Sequence, residues 1–185
     1  MSFKEHNLVQ HYLQHSRNFG FRVHGIVCNG MRGLFHELRT YKVQMCQFHQ
    51  IMIVRRYQTN RPDLPASREL LDICHTMTRT DKEGFIGMLE RWHGKWEDFL
   101  NEQSADKNTG RTSYRHKRLR SVYLSLKRNM PWLWTFLDYP LLHIPNTNNA
   151  LEGVFTDIKT KLRVHSGITK DRRIALIQEY IARHY

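Results

Sequence analysis

Three places in this 185-residue chain bring together side chains able to do chemistry. In "MCQFHQ", Cys46 and His49 form a C-x2-H pair where an apolar run turns into a helical pattern. A thiolate and an imidazole at that spacing can supply half of a tetrahedral zinc site. Cys74 with His75, or His24 with Cys28, could supply the rest, although the second pair lacks a familiar ligand spacing and no C-x2-C exists. The plainer reading is a small buried Cys46 and a hydrogen-bonded His49 at a helix start. Glu152 lies within "NTNNALEG", in the first turn of the helix that this stretch announces, where the helix dipole favours a carboxylate. Lys159, Lys161 and Arg163 come after it, and a carboxylate for a metal beside cations for phosphates suits phosphoryl transfer. An ordinary first-turn Glu is the alternative. Asn29, in "IVCNGMRGLF", ends an apolar strand at a turn, where a rigid backbone can aim a side chain at a substrate. A carboxylate there reads as a metal ligand, whereas an amide reads as a turn residue or a disabled ligand.

A fourth feature is "GRTSYRHKRLRSVYLSLKRNMPWLW". Arg115, Lys117, Arg118, Arg120, Lys127 and Arg128 occur without an acidic residue among them, while Leu119, Val122, Tyr123 and Leu126 recur at helical spacing. One face packs and the other is cationic. A solvated face is one explanation, and a phosphate backbone is the other. Trp132 and Trp134 are candidates for stacking on bases or for core packing.

The elements that must position these residues follow from periodicity. Residues 3–18 have helical spacing and stop at Gly20. "FRVHGIVC" (21–28) reads as an interior strand, 31–38 as a short helix, and 42–57 as a strand that becomes a helix with Phe48, Ile51, Met52 and Tyr57 on one side. This α-β-α-β-α opening implies parallel or mixed strands covered by helices. Residues 61–137 read as an all-helical insertion with helices over 67–77, 81–100 and 115–137. A Pro- and Asn-rich connector (137–149) follows, then a helix over 150–162 capped by Asn148 or Asn149, and a last helix over 169–183. Three segments result: a core portion over 1–60, the insertion over 61–137, and a connector with C-terminal helices over 138–185.

Lys and Arg number 29 against 17 Asp and Glu, a formal +12, so the surface field favours polyanions and nucleic acid leads as a partner class. A hydrophobic fraction of 40% with nine Phe, eight Tyr and four Trp argues against disorder. No run approaches the roughly 20 apolar residues of a membrane helix, and the N-terminus lacks a signal-peptide core, so a cytoplasmic location is expected. Three cysteines suit reduced thiols better than a disulfide framework.

In order and approximate spacing, "VCNGMRGL", "YKVQMCQFHQIMIVRRY" and "NTNNALEG" resemble the catalytic core of bacterial insertion-sequence transposases related to the Mutator-like group. The resemblance covers about residues 3–175 and implies an α/β, ribonuclease H-like core, here incomplete with two strands, interrupted by a large all-α insertion. Such enzymes cut and join DNA with an acid triad and two Mg2+ or Mn2+ ions. Carried over, Glu152 matches the third acid, Cys46 and His49 match the C-x2-H pair, and Asn29 stands where the second Asp is expected. The first Asp has no counterpart, so the resemblance implies an N-terminally truncated chain that keeps one acid of three and is inactive alone. An amide in place of a carboxylate removes a full charge from a site meant to offset divalent cations, so metal is not held productively. Two other readings stand beside this one. One is a non-catalytic DNA-binding protein or a partner subunit that interferes with intact transposase, and the other is a zinc-dependent binding module.

Overall fold

The computed structural model describes residues 13–59, 61–105, 109–165 and 167–184. Among the described residues helix dominates at 68%, with 8% strand in two small sheets. Contacts divide the chain into two compact units, Met1–Thr147 and Asn148–Tyr185.

The first unit opens with helical residues 13–18 (α1); the remainder of the helix expected over 3–18 lies outside the described residues. β1 (Gly25–Cys28) pairs in parallel with β2 (Lys42–Met45), Gly25 opposite Lys42 and Cys28 opposite Met45. β-branched Ile26 and Val27 suit the strand, and α2 (Arg32–Glu37) forms the crossover that parallel pairing requires. The strand expected over 21–28 is shorter because β2 starts only after the turn closed by Tyr41 N–H on Leu38 O (2.8 Å). Residues 21–24 are thus left without a ladder partner. At Gly25, a Cβ would lie 2.5 Å from Ile144 Cδ1, so the missing side chain lets buried Ile144 sit against the strand.

α3 (Gln47–Gln58), α4 (Pro65–Thr76) and α5 (Lys82–Asn101) follow. Proline suits the first position of α4, where no N–H is needed. Asp81 caps α5 by accepting from Gly84 N–H at 2.8 Å. The segment read as all-helical then forms an antiparallel hairpin, β3 (Gln103–Ala105) with β4 (Thr112–Tyr114), before α6 (Lys117–Leu133) and α7 (Thr135–Asp138). Its strands are polar and largely exposed, so no apolar alternation marks them in the sequence. The core gathers Leu38, Met45, Val54, Leu70, Phe85, Leu126, Leu133 and Trp134 from every layer of the unit.

α3 buries a different face from the one expected. Ile51 and Val54 are buried together with Gln47, Gln50 and Gln58, whereas Met52 and Tyr57 are exposed. Three of the four buried glutamines around β2 and α3 find partners on α6, α7 and the connector, which satisfies groups that would otherwise be costly inside. Gln44 Nε2 donates to Leu133 O (2.9 Å) and Met45 O (2.6 Å), and its Oε1 accepts from Phe136 N–H (3.1 Å). Gln47 donates to Leu133 O (2.9 Å) and accepts from Asn146 Nδ2 (3.1 Å). Gln50 accepts from Asn129 Nδ2 at 2.7 Å and donates to Ser125 Oγ at 3.4 Å. Thr135 Oγ1 donates to Val43 O at 2.7 Å.

The second unit is a pair of helices, α8 (Asn149–Val164) and α9 (Lys170–His184). Tyr180 O–H donates to Asp157 Oδ2 at 2.6 Å and Lys161 lies over the Tyr180 ring at 4.5 Å, tying the two together around buried Ile158. No helix among the described residues is long and apolar enough to cross a membrane.

Candidate nucleic-acid interface and strand-end residues

Parallel pairing brings the C-terminal ends of β1 and β2 side by side, and Cys46 N–H donating to Cys28 O at 2.8 Å carries the ladder one step further. Asn29 lies at this end, exposed, and its Oδ1 accepts from Met31 N–H at 3.3 Å. That is a side-chain-stabilised turn, which Asn favours. Gly30 completes it at φ +84°, where a Cβ would approach Met45 Cε to 2.4 Å, so a side chain there is both strained and crowded.

Cys46 is fully buried at the start of α3, and Gln47 N–H donates to Asn146 O at 3.0 Å. His49 is half-buried one turn on, with its ring edge-on to Phe48 at 6.4 Å. Burial pushes the Cys28 thiol up, partly offset by the Gly30 N–H and reinforced by Cys46, and burial alone pushes the Cys74 thiol far up. Thiols in such surroundings resist becoming the thiolates that zinc needs. Arg55, which can only donate, reaches His75 Nε2 at 3.0 Å and occupies that nitrogen. Among the described residues no three His, Cys, Asp or Glu side chains gather as a metal-holding group.

Glu152 belongs to the second unit, half-buried in the first turn of α8, with its N–H donating to Asn148 O at 3.0 Å. Asn148 is the residue before that helix, but its backbone (φ −107°, ψ 23°) departs from the extended cap geometry and its side chain makes no cap bond, which corrects the expected capping role. Lys159 and Arg163 are exposed along α8, whereas Lys161 pairs with Asp157 at 3.4 Å. The Tyr180 hydroxyl, followed by Lys161, holds the Asp157 carboxyl below its ordinary value.

α6 has the two faces its spacing predicts. Leu119, Val122, Leu126 and Leu133 are buried, while Lys117, Arg118, Lys127 and Arg128 are exposed and form no ion pair with any described residue. Arg115 and Arg120 are engaged within the fold. Arg115 meets Glu102 at 3.3 Å, an acid supplied by the end of α5 and invisible in the local run. Arg120 donates to Asn101 Oδ1 (2.7 Å) and Leu100 O (3.2 Å), with its guanidinium over the Tyr114 ring at 3.8 Å. Trp132 stacks on Phe35 at 4.2 Å, and buried Trp134 donates to Thr80 O at 3.0 Å, so both tryptophans pack the core. The glutamine network and a pocket beside Gln58 are features the sequence reading missed. No local signal marks the network, because Gln44 lies on a strand, Gln47 and Gln50 on a helix, and most of their partners are distant in the chain. No protein-family model, curated protein or solved structure matches the chain.

Proposed function

We propose that this chain is a segment of a DNA transposase catalytic region, with an incomplete ribonuclease H-like core, that binds DNA without cutting it. The observation that carries the DNA role is the exposure of four cations on α6, Lys117 and Arg118 at its start and Lys127 and Arg128 beyond its middle, on a helix whose apolar side is buried in the first unit. Cations held on a rigid element, free of acidic partners, are what a phosphate backbone selects by counterion release. The family reading draws on the ordered motifs, and is supported by the parallel β1–β2 pair that presents Asn29 at a strand end and opens α3 at Cys46. Asn29 is the reason for inactivity. A neutral amide that already serves its own turn cannot supply the charge a Mg2+ or Mn2+ centre needs. Lys159 and Arg163 add positive charge near Glu152, and a second transposase subunit is the natural protein partner of such a segment in the cytoplasm. In the test, the purified chain is mixed with supercoiled plasmid and Mg2+ or Mn2+ across a salt series. Salt-sensitive binding without nicking or strand transfer is expected. Metal-dependent nicking overturns the inactivity, and failure to bind DNA at low salt overturns the reading as a whole.

A further inference from the structure

A pocket between α3 and α6 gathers two cations that no described acid neutralises. Arg56, in the last turn of α3, and Arg128, on α6, both line it, and its volume is about 350 Å3. Both arginines are exposed, and neither forms an ion pair with a described residue. No Asp or Glu lines this pocket, whereas the other cavities described in the first unit that carry a cation each carry an acid as well, Asp63, Glu69 or Glu37. The helix dipole accounts for a cation in the last turn of α3, but Arg128 lies short of the last turn of α6 and gains nothing from it. Two like charges at one cavity repel, and an anion between them removes the repulsion. Buried Ser125 and Asn129 line the same pocket and are fixed by the glutamine network, Asn129 Nδ2 donating to Gln50 Oε1 (2.7 Å) and Gln50 Nε2 donating to Ser125 Oγ (3.4 Å). The hydroxyl hydrogen of Ser125 is not used in that bond, and no acceptor takes it among the described residues. Gly30 also lines the pocket, which therefore adjoins the strand end that carries Asn29.

A guanidinium presents a planar fork of N–H donors that matches two oxygens of one phosphate, and forks on two packed helices can approach the same phosphate from two sides. Exposed Lys117, Arg118 and Lys127 on α6 add to a local field that favours a polyanion. We infer that Arg56 and Arg128 clamp one phosphate group in this pocket, supplied by the backbone of a DNA duplex that passes the end of β1. The inference rests on the DNA-binding reading above. It adds to that reading a discrete phosphate site and a residue of α3, where the first unit otherwise contributes cations of α6 alone.

The test is fluorescence anisotropy with a labelled duplex across a salt series, for the unmodified chain, Arg56→Ala, Arg56→Lys and, as a control, Arg68→Ala, which removes an exposed charge on α4 outside the pocket. Unfolding curves verify that each variant folds. Arg56→Ala is expected to weaken duplex binding by about 10- to 100-fold, the span of a charge-assisted hydrogen bond, and to make the slope of log affinity against log salt shallower by about 1. Arg56→Lys keeps the slope but recovers little of the affinity, because a point charge lacks the fork. Arg68→Ala changes affinity by less than about 3-fold, as for a single charge in a screened field. Equal losses in Arg56→Ala and Arg68→Ala, or full affinity in Arg56→Lys, overturn the clamp while duplex binding leaves the DNA role standing. Inorganic phosphate, compared with chloride at equal ionic strength, separates the two sources of the group. A rise in melting temperature with phosphate that disappears in Arg56→Ala, in a chain that binds no duplex, assigns the pocket to a free phosphate and overturns both the DNA source and the proposed function. A chain that responds to neither duplex nor phosphate overturns the proposed function and this inference with it.

Discussion

Gln44→Leu tests whether β2 is held to α6 by side-chain amides or merely by apolar contact. Gln44 is fully buried, its nitrogen serves two carbonyls and its oxygen serves Phe136 N–H. Leucine has similar bulk, so little cavity opens, and the effect is dominated by what the amide leaves behind. Leu133 O keeps the bond from Gln47 at 2.9 Å. Phe136 N–H loses its side-chain acceptor and Met45 O loses a donor, and each unsatisfied buried group costs about 1–3 kcal/mol. The gain in transfer free energy of leucine offsets part of this, giving a net loss of about 2–3 kcal/mol. For a chain of this length that lowers the melting temperature by roughly 4–12 °C. Urea unfolding followed by tryptophan fluorescence should show a lower midpoint at an unchanged slope. A loss below about 0.5 kcal/mol, or a gain, would refute the claim that these bonds fix the strand.

The same logic reverses sign at Gln58, where no bond exists to lose: Gln58→Leu should raise stability by about 1 kcal/mol or more, read from the same urea curves. Glu69 accepts from Lys95 Nζ at 2.6 Å and from Trp96 Nε1 at 2.8 Å, and the lysine first, then the indole, hold its carboxyl below the ordinary value. Its contribution is complete above the unfolded value of about 4.3 and disappears as pH falls through the lowered folded value. Because the pair is largely solvated, the effect is about 0.5 kcal/mol or less, and Glu69→Gln should flatten that acid limb in a stability-against-pH series. All three cysteines are buried, and burial raises the Cys28 and Cys74 thiols. Iodoacetamide should label none of them in the folded chain and all of them in denaturant, as counted by mass spectrometry. Rapid native labelling would contradict the packing described.

Much of the scaffold was legible where local chemistry decides it. The turn at Asn29 and the apolar row of α6 each act within a few residues. What escaped depends on contacts between distant segments. Gln47, Gln50 and Gln58 look like outward-facing residues on α3 until Ser125, Asn129, Leu133 and Asn146 are brought beside the first two. The cationic run of α6 looked uncompensated because Glu102, which meets Arg115 and His116, precedes it across the hairpin. The hairpin had no hydrophobic pattern to reveal it. The connector packs within the first unit, through Ile144 at Gly25 and Asn146 at Gln47. At the candidate site, the turn role of Asn29 was one of two readings, and the bond to Met31 N–H adds weight to it.

The central claim is that the exposed cations of α6 contact a phosphate backbone, and the slope of log affinity against log salt tests it most directly. Duplex binding is measured for the unmodified chain and for a variant with Lys117, Arg118, Lys127 and Arg128 each changed to Ala. All four are exposed, so the fold should tolerate the changes, as an unfolding curve can verify. At about 0.9 per phosphate contact, the account predicts a slope shallower by about 3 to 4 in the variant. An unchanged slope would mean that DNA, if bound at all, is held elsewhere on the chain.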